Sequence, residues 1–291
     1  MAMHDEVKRL IDGGISLRAI ARGIGLSHNT LWKWFNGQYP GDVKKVEKKL
    51  AEYLQRQRQR ARVPKAVFRW TKAARDVFEA LRQAHEEQDF AVILGPSGVG
   101  KTTALRKYAE KHENVYLLEV DPTCGTKKGF LQFLTGALGG DTQGTARTLM
   151  GRAEKLLADS DVLLIIDEAE HLEYLALDCV RILMEKSGGA LALSGLEDIL
   201  MPKLRDNRLA KRLYSRVGIA CYLGETDASD LKDIVKGFEL PAQAEAAVIE
   251  NSQGCPRRAS KLAKRVKRLQ QQQPEMSEKE LVKRATELLM V

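Results

Sequence analysis

Apolar positions in the first fifty or so residues recur at helical spacing. Leu10, Ile11, Leu17, Ile20, Ala21 and Ile24 follow one another as a helix requires. Gly25 interrupts, and Ser27 stands where the N-cap of a further helix belongs, ahead of Leu31, Trp34 and Phe35. Asn-Gly and Pro-Gly steps within residues 36–41 are turn signals, and Val43, Val46, Leu50 and Leu54 mark a last helix. The apolar pattern then lapses. Residues 55–66 read Gln-Arg-Gln-Arg-Gln-Arg-Ala-Arg-Val-Pro-Lys-Ala, a basic and mobile linker whose start can continue the preceding helix.

Residues 67–224 change period. Phe90–Leu94, Val115–Val120, Val162–Ile166 and Ala190–Ser194 are short, nearly continuous apolar runs, as expected of parallel strands covered on both faces. Helical periodicity lies between them, for example over Thr102–Lys111 and Leu175–Lys186. This alternation predicts an α/β sandwich. From 225 onward the pattern is helical again, over Ser229–Gly237, Pro241–Ser252, Pro256–Gln271 and Ser277–Met290, with a polar Gln270–Gln273 tract separating the last two. The organisation expected is an all-α module at 1–54, a linker at 55–66, an α/β core at 67–224 and a helical domain at 225–291.

Charge sharpens this division. The net charge of +8 belongs to residues 1–65, which hold 14 Lys and Arg against six Asp and Glu, while the rest of the chain balances. A small basic module on a neutral body is an electrostatic handle for nucleic acid. The four cysteines are far apart, without the C-x-x-C spacing of a zinc or redox site, and fit free thiols in a reducing compartment. No apolar run approaches the ~20 residues of a membrane span, and no signal-peptide core opens the chain. The expected location is the cytoplasm, with no membrane partner.

The candidate chemistry begins at Gly95-Pro96-Ser97-Gly98-Val99-Gly100-Lys101-Thr102-Thr103. It satisfies G-x-x-x-x-G-K-[ST], with an apolar strand before it and a helix-forming run after it. Its glycines let backbone N–H groups converge on a phosphate, and the following helix points its positive end at the same anion. Lys101 supplies positive charge for the β- and γ-phosphates, and Thr102 offers a hydroxyl to Mg2+. Val162-Leu-Leu-Ile-Ile-Asp167-Glu168 is the complementary half. Asp167 leaves a buried strand at the end where such sheets bind ligands and can hold the metal's shell, while Glu168 can orient and deprotonate the attacking water. ATP and Mg2+ are therefore the expected cofactors. Glu168 argues for hydrolysis over binding alone.

Together with the later arginines, these motifs resemble the AAA+ ATPases. The resemblance implies a P-loop parallel-sheet core with a helical lid. It implies a γ-phosphate sensor at Ser194, where many members carry Asn, and an arginine finger that enters the neighbouring subunit's site. Arg216 and then Arg212 are the candidates for that finger, in the cluster with Arg208 and Lys211. It also implies a lid arginine reaching ATP from the same chain, which Gly254-Cys-Pro-Arg257-Arg258 places at Arg257.

Leu17 to Trp34 resembles a helix-turn-helix. Ala21 is small enough for close helix approach, Gly25 suits the turn, and Ser27 caps a recognition helix on which Ser27, His28, Asn29 and Lys33 face DNA. The whole order is helix-turn-helix, basic linker, AAA+ core and helical lid. With Leu26-Ser27, Asn36-Gly37-Gln38-Tyr39, Ile165–Leu172 and Arg212–Arg216, that order is similar to the phage Mu B-like transposition proteins along nearly the whole chain. The resemblance implies a largely non-sequence-specific, double-stranded-DNA-binding ATPase. Such a protein forms a helical filament on target DNA with ATP and delivers that DNA to a transposase in a bacterial host's cytoplasm. It also implies phosphate contacts from Lys127, Lys128, Arg147 and Arg152. An ATP-switched transcriptional regulator and a helicase-loader-like remodeller remain open beside it.

Overall fold

The computed structural model describes residues 3–62, 67–158 and 161–287. They fall into two compact units, one within residues 1–65 and the other over most of 66–291.

The first unit is four helices, α1 (Met3–Asp12), α2 (Leu17–Gly23), α3 (His28–Phe35) and α4 (Val43–Arg62). The run from Leu10 to Ile24 is thus two helices, parted at Gly14 with φ of 92°. The hydroxyl of Ser16 restarts the chain by accepting the Ala19 N–H at 3.2 Å. Gly25, with φ of 64°, turns the chain between α2 and α3, and Ser27 caps α3 by accepting the Thr30 N–H at 3.0 Å. Ile20, Ala21, Leu31, Trp34, Val46 and Leu50 make the core. α4, expected to continue into the start of the basic segment, runs on to Arg62. Gln, Arg and Ala are good helix formers, so a stretch with no apolar stripe still propagates a helix already nucleated. Residues 63–66 of that segment lie outside the described residues.

The second unit opens with α5 (Lys72–Glu87), β1 (Phe90–Leu94), α6 (Lys101–Ala109), β2 (Val115–Glu119), α7 (Lys127–Ala137) and α8 (Ala146–Leu157). It continues with β3 (Leu163–Asp167), a 3-10 turn at Ala169–His171, α9 (Tyr174–Ser187), β4 (Ala190–Gly195), α10 (Glu197–Asp206), α11 (Ala210–Tyr214) and β5 (Val217–Tyr222). The five strands are parallel in the order β2-β3-β4-β1-β5. Alternate residues feed the two faces. Phe90, Val92, Leu94, Leu164 and Ile166 join one core, and Ala91, Ile93, Leu163 and Ile165 join the other beneath α5 and α6. Burial on both faces is what makes β1, β3 and β4 read as unbroken apolar runs. Among the described residues β5 pairs with β1 alone, and only Ile219 of it is buried.

Among the described residues four further helices follow, α12 (Ala228–Lys236), α13 (Ala242–Ser252), α14 (Pro256–Gln272) and α15 (Glu278–Glu287), around Leu231, Val235, Val248, Leu262, Val266 and Leu281. α14 ends at Gln272, beside the expected Gln271, and the last residues of the run to Met290 lie outside those described. All four cysteines are free. Among the described residues, no helix is long and apolar enough to cross a membrane.

Candidate active site

The strand order sets β4 between β1 and β3. The loop after β1 and the C-terminal ends of β4 and β3 therefore lie side by side along one sheet edge, where open α/β sheets bind ligands. A cavity of 460 Å3 sits there, lined by Ser97–Thr103, Asp167, Glu168, Glu170 and Arg257 among others. That volume is within the range of small-molecule sites.

The loop Gly95–Gly100 owes its path to its glycines. Gly98 and Gly100 hold φ of 87° and 114°, and α6 starts at Lys101 directly after them. Its first N–H groups open into the cavity, a ready anion site. A Cβ on Gly95 would stand 2.7 Å from the Leu223 carbonyl. The Lys101 ammonium donates to the carbonyls of Gly95 at 2.5 Å and Pro96 at 3.1 Å. Burial lowers its pKa, against the raising pull of Asp167, Glu170 and Glu168. A phosphate would give this half-buried cation a closer counter-charge than those carboxylates do.

Asp167 is 2% exposed and every donor around it is specific. The Thr102 hydroxyl donates to Oδ2 at 2.6 Å, the Ser194 hydroxyl to Oδ1 at 2.8 Å and the Glu168 N–H to Oδ1 at 3.1 Å. A hydroxyl and a carboxylate meeting at the mouth of a phosphate loop are hard oxygen donors that suit Mg2+, which takes one or two such ligands and completes its shell with phosphate and water.

Ser194 is fully buried, does not line the cavity, and donates its hydroxyl to Asp167, orienting that carboxylate beneath the phosphate loop. Glu168 does line the cavity. Its backbone takes the left-handed conformation, φ 56°, and its carboxylate lies 3.4 Å from the His171 imidazole. A non-glycine residue in that region carries strain of the kind found at functional sites. Glu170 braces this loop: Oε1 accepts the Leu196 N–H at 3.3 Å and its carbonyl accepts from the Lys203 ammonium at 2.6 Å.

Arg257 enters from α14. Its guanidinium donates to the Ser97 hydroxyl at 3.2 Å and its N–H to the Gly98 carbonyl at 3.3 Å. A Cβ on Gly98 would come 2.8 Å from the Cys255 sulfur and 3.2 Å from the Arg257 Cβ. Gly98→Ala is therefore expected to push the lid helix off the loop. Adding the cost of a positive φ, ~1–3 kcal/mol, it should lower the thermal midpoint by several degrees and weaken ATP binding about tenfold or more. Scanning calorimetry and nucleotide titration check both.

Arg212 and Arg216 do not line this cavity. Both are exposed, and Arg216 donates to Glu185 at 2.9 Å. Lys127 and Lys128 are exposed at the start of α7, and Arg147 is exposed on α8. Arg152 is engaged locally, paired with Asp141 at 3.1 Å and donating to the Asp141 and Gln143 carbonyls, so it braces the loop between α7 and α8. In the N-terminal unit His28 and Asn29 are exposed, Lys33 is half-buried, and the Ser27 hydroxyl is occupied by its cap.

One wall of the cavity has no counterpart in the sequence reading. Val67, Phe68, Arg69 and Thr71 approach from before α5 and Ile234 from α12, giving the cavity a partly apolar wall beyond the phosphate loop. The amphipathic run Ala74, Val77, Leu81 and Ala84 was a signal for α5, but nothing local marks a wall built from segments this far apart.

A family model for the AAA domain matches residues 82–201. The chain is 30% identical over 259 residues to the Mu-like prophage FluMu DNA transposition protein B of Haemophilus influenzae, covering 87% of this chain and 90% of that protein. It is 28% identical over 239 residues to the ATP-dependent target DNA activator B of Escherichia phage Mu, covering 81% of this chain and 77% of the relative. Among solved structures, the ORC2 protein of Aeropyrum pernix, in its ADPNP-ADP complexes, superposes with a TM-score of 0.57 at 16% identity. That match covers 74% of this chain and 66% of the other, and at such identity the likeness is one of fold.

Proposed function

The chain belongs to the family of Mu-like DNA transposition protein B, an AAA+ family, and from that premise we propose that it hydrolyses ATP while bound to DNA and presents that DNA to a transposase. The observation that carries the ATPase half is Asp167. This buried carboxylate is oriented by Thr102 and Ser194 beneath the phosphate loop, with Glu168 beside it at the cavity. ATP lies with its base against Phe68 and Ile234 and its phosphates on the N-terminus of α6. Thr102 and Asp167 are the residues that would hold Mg2+, which would supply neutralising charge to the phosphates. Glu168 takes the proton of the attacking water, and Lys101 and Arg257 hold the charge that develops on the γ-phosphoryl oxygens.

The DNA half rests on charge. The strongly basic N-terminal unit, with its α2–α3 pair as a helix-turn-helix, and the exposed Lys127, Lys128 and Arg147 supply phosphate contacts. Successive subunits assemble head to tail on duplex DNA, each completing its neighbour's site with Arg216 or Arg212, in the cytoplasm of a bacterial host. Electron microscopy with ATP and random-sequence duplex is the test. Continuous filaments without sequence preference are expected. A discrete footprint on a single operator without filaments would make the protein a transcriptional regulator, and closed rings around single strands would make it a loader.

A further inference from the structure

Thr71 and Asp230 together meet the first turn of α5. The Thr71 hydroxyl accepts the Ala74 N–H at 3.1 Å, and the Asp230 carboxylate, from α12, accepts the Lys72 N–H at 2.5 Å. Arg75 approaches the same carboxylate at 3.9 Å and also donates to the Trp70 carbonyl. α5 has no acidic residue in its own first turn, so the charge that complements its positive end comes from the lid. Asp230 is 8% exposed, which makes an unpaired carboxylate there costly and the contact a fixed one.

What Asp230 joins gives this contact its meaning. Ile234 lies one turn further along the same face of α12 and lines the cavity. Thr71 and Phe68, at the other end of the bond, line it from the opposite side. The remaining face of α12, Leu231 and Val235, is sunk in the lid core. Asp230 is thus the polar fastening between the two halves of the apolar wall, while the phosphate half of the site rests on β1, α6 and β3, with Arg257 of α14 tied to the phosphate loop by its own bonds to Ser97 and Gly98.

We propose that Asp230 is a positioning residue for the nucleotide base: it holds α12 to the start of α5 so that Ile234 and Phe68 form one base-binding wall. This rests on the reading of the cavity as an ATP site. Losing the fastening lets the two sides of the wall separate, which costs base contacts and leaves phosphate contacts in place.

The test compares ATP with inorganic tripolyphosphate, which has the phosphates but no base, by calorimetric titration of the full chain. Asp230→Ala is expected to weaken ATP binding about tenfold, ~1.4 kcal/mol, with tripolyphosphate affinity unchanged within about twofold. Asp230→Asn keeps an acceptor for the Lys72 N–H but no charge for Arg75, and is expected to weaken ATP about threefold, again selectively. A purely structural role would weaken both ligands alike, and that result overturns the proposal. So does wild-type ATP affinity in the folded Asn variant, which decides alone if the Ala variant does not fold. Wild-type protein that binds tripolyphosphate no worse than ATP would instead strike the base-binding reading of the cavity itself.

Discussion

Glu168→Gln is expected to bind ATP within about threefold of wild type and to hydrolyse it about 10²–10⁴ times more slowly. The substitution is close to isosteric, so it tests one property. Glu168 holds a left-handed backbone conformation, and its N–H is tied to Asp167 at 3.1 Å. Gln can keep both, since neither uses the side chain. What it loses is a carboxylate able to take a proton from water beside the γ-phosphoryl group. Thr102, Ser194 and Asp167 keep their hydrogen bonds, so the metal-side oxygens remain in place. Lys101 keeps its counter-charge from Asp167, and nucleotide affinity is therefore retained. On DNA the consequence is persistence: complexes formed with ATP should outlive those of wild type by the factor by which turnover falls. Phosphate release and dissociation of labelled duplex measure the two. Turnover within a few-fold of wild type would remove Glu168 from the role of general base.

The parts of the site that this prediction uses are those the sequence displayed most openly, for a physical reason. A phosphate loop needs its glycines, lysine and hydroxyl within one short run, here Gly95 to Thr102, because backbone N–H groups of one tight turn must converge on one anion. Asp167 and Glu168 follow a strand buried on both faces, whose unbroken apolar run is visible without any partner. The N-cap role of Ser27 and the turn at Gly25 are local in the same sense. Where long-range contacts decide, the sequence falls silent. The position of Ser194 was legible, but the direction of its hydroxyl depends on Asp167 in a neighbouring strand, 27 residues earlier. The fastening of Lys72 by Asp230 spans 158 residues. The basic run after Leu54 carries no apolar stripe, which excludes packing and not helix, so how far α4 extends is not legible there.

The exposure of Arg216 bears on how many chains make one active site. It stands away from the cavity of its own chain, 62% exposed, and its only charge partner among the described residues is Glu185, itself shared with Arg181. A surface pair of this kind contributes little to folding, so Arg216→Ala should fold with its thermal midpoint nearly unchanged and bind ATP as wild type does. If Arg216 is the residue a neighbour inserts, turnover should nevertheless fall about 10³-fold or more, the scale set by arginine fingers in phosphoryl transfer. The sharper consequence is complementation. In a head-to-tail assembly each site takes its cradle from one subunit and its finger from the next. Arg216→Ala subunits have an intact Glu168, and Glu168→Gln subunits have an intact Arg216. Mixed in equal amounts on DNA, two nearly inactive proteins should regain activity at about a quarter of sites, those where an Arg216→Ala cradle meets a Glu168→Gln neighbour. A finger acting within its own chain gives no recovery at any ratio, because every subunit then carries a defective site. Arg212→Ala in the same mixture separates the two candidates: the residue whose loss is rescued by Glu168→Gln subunits is the one that crosses the interface.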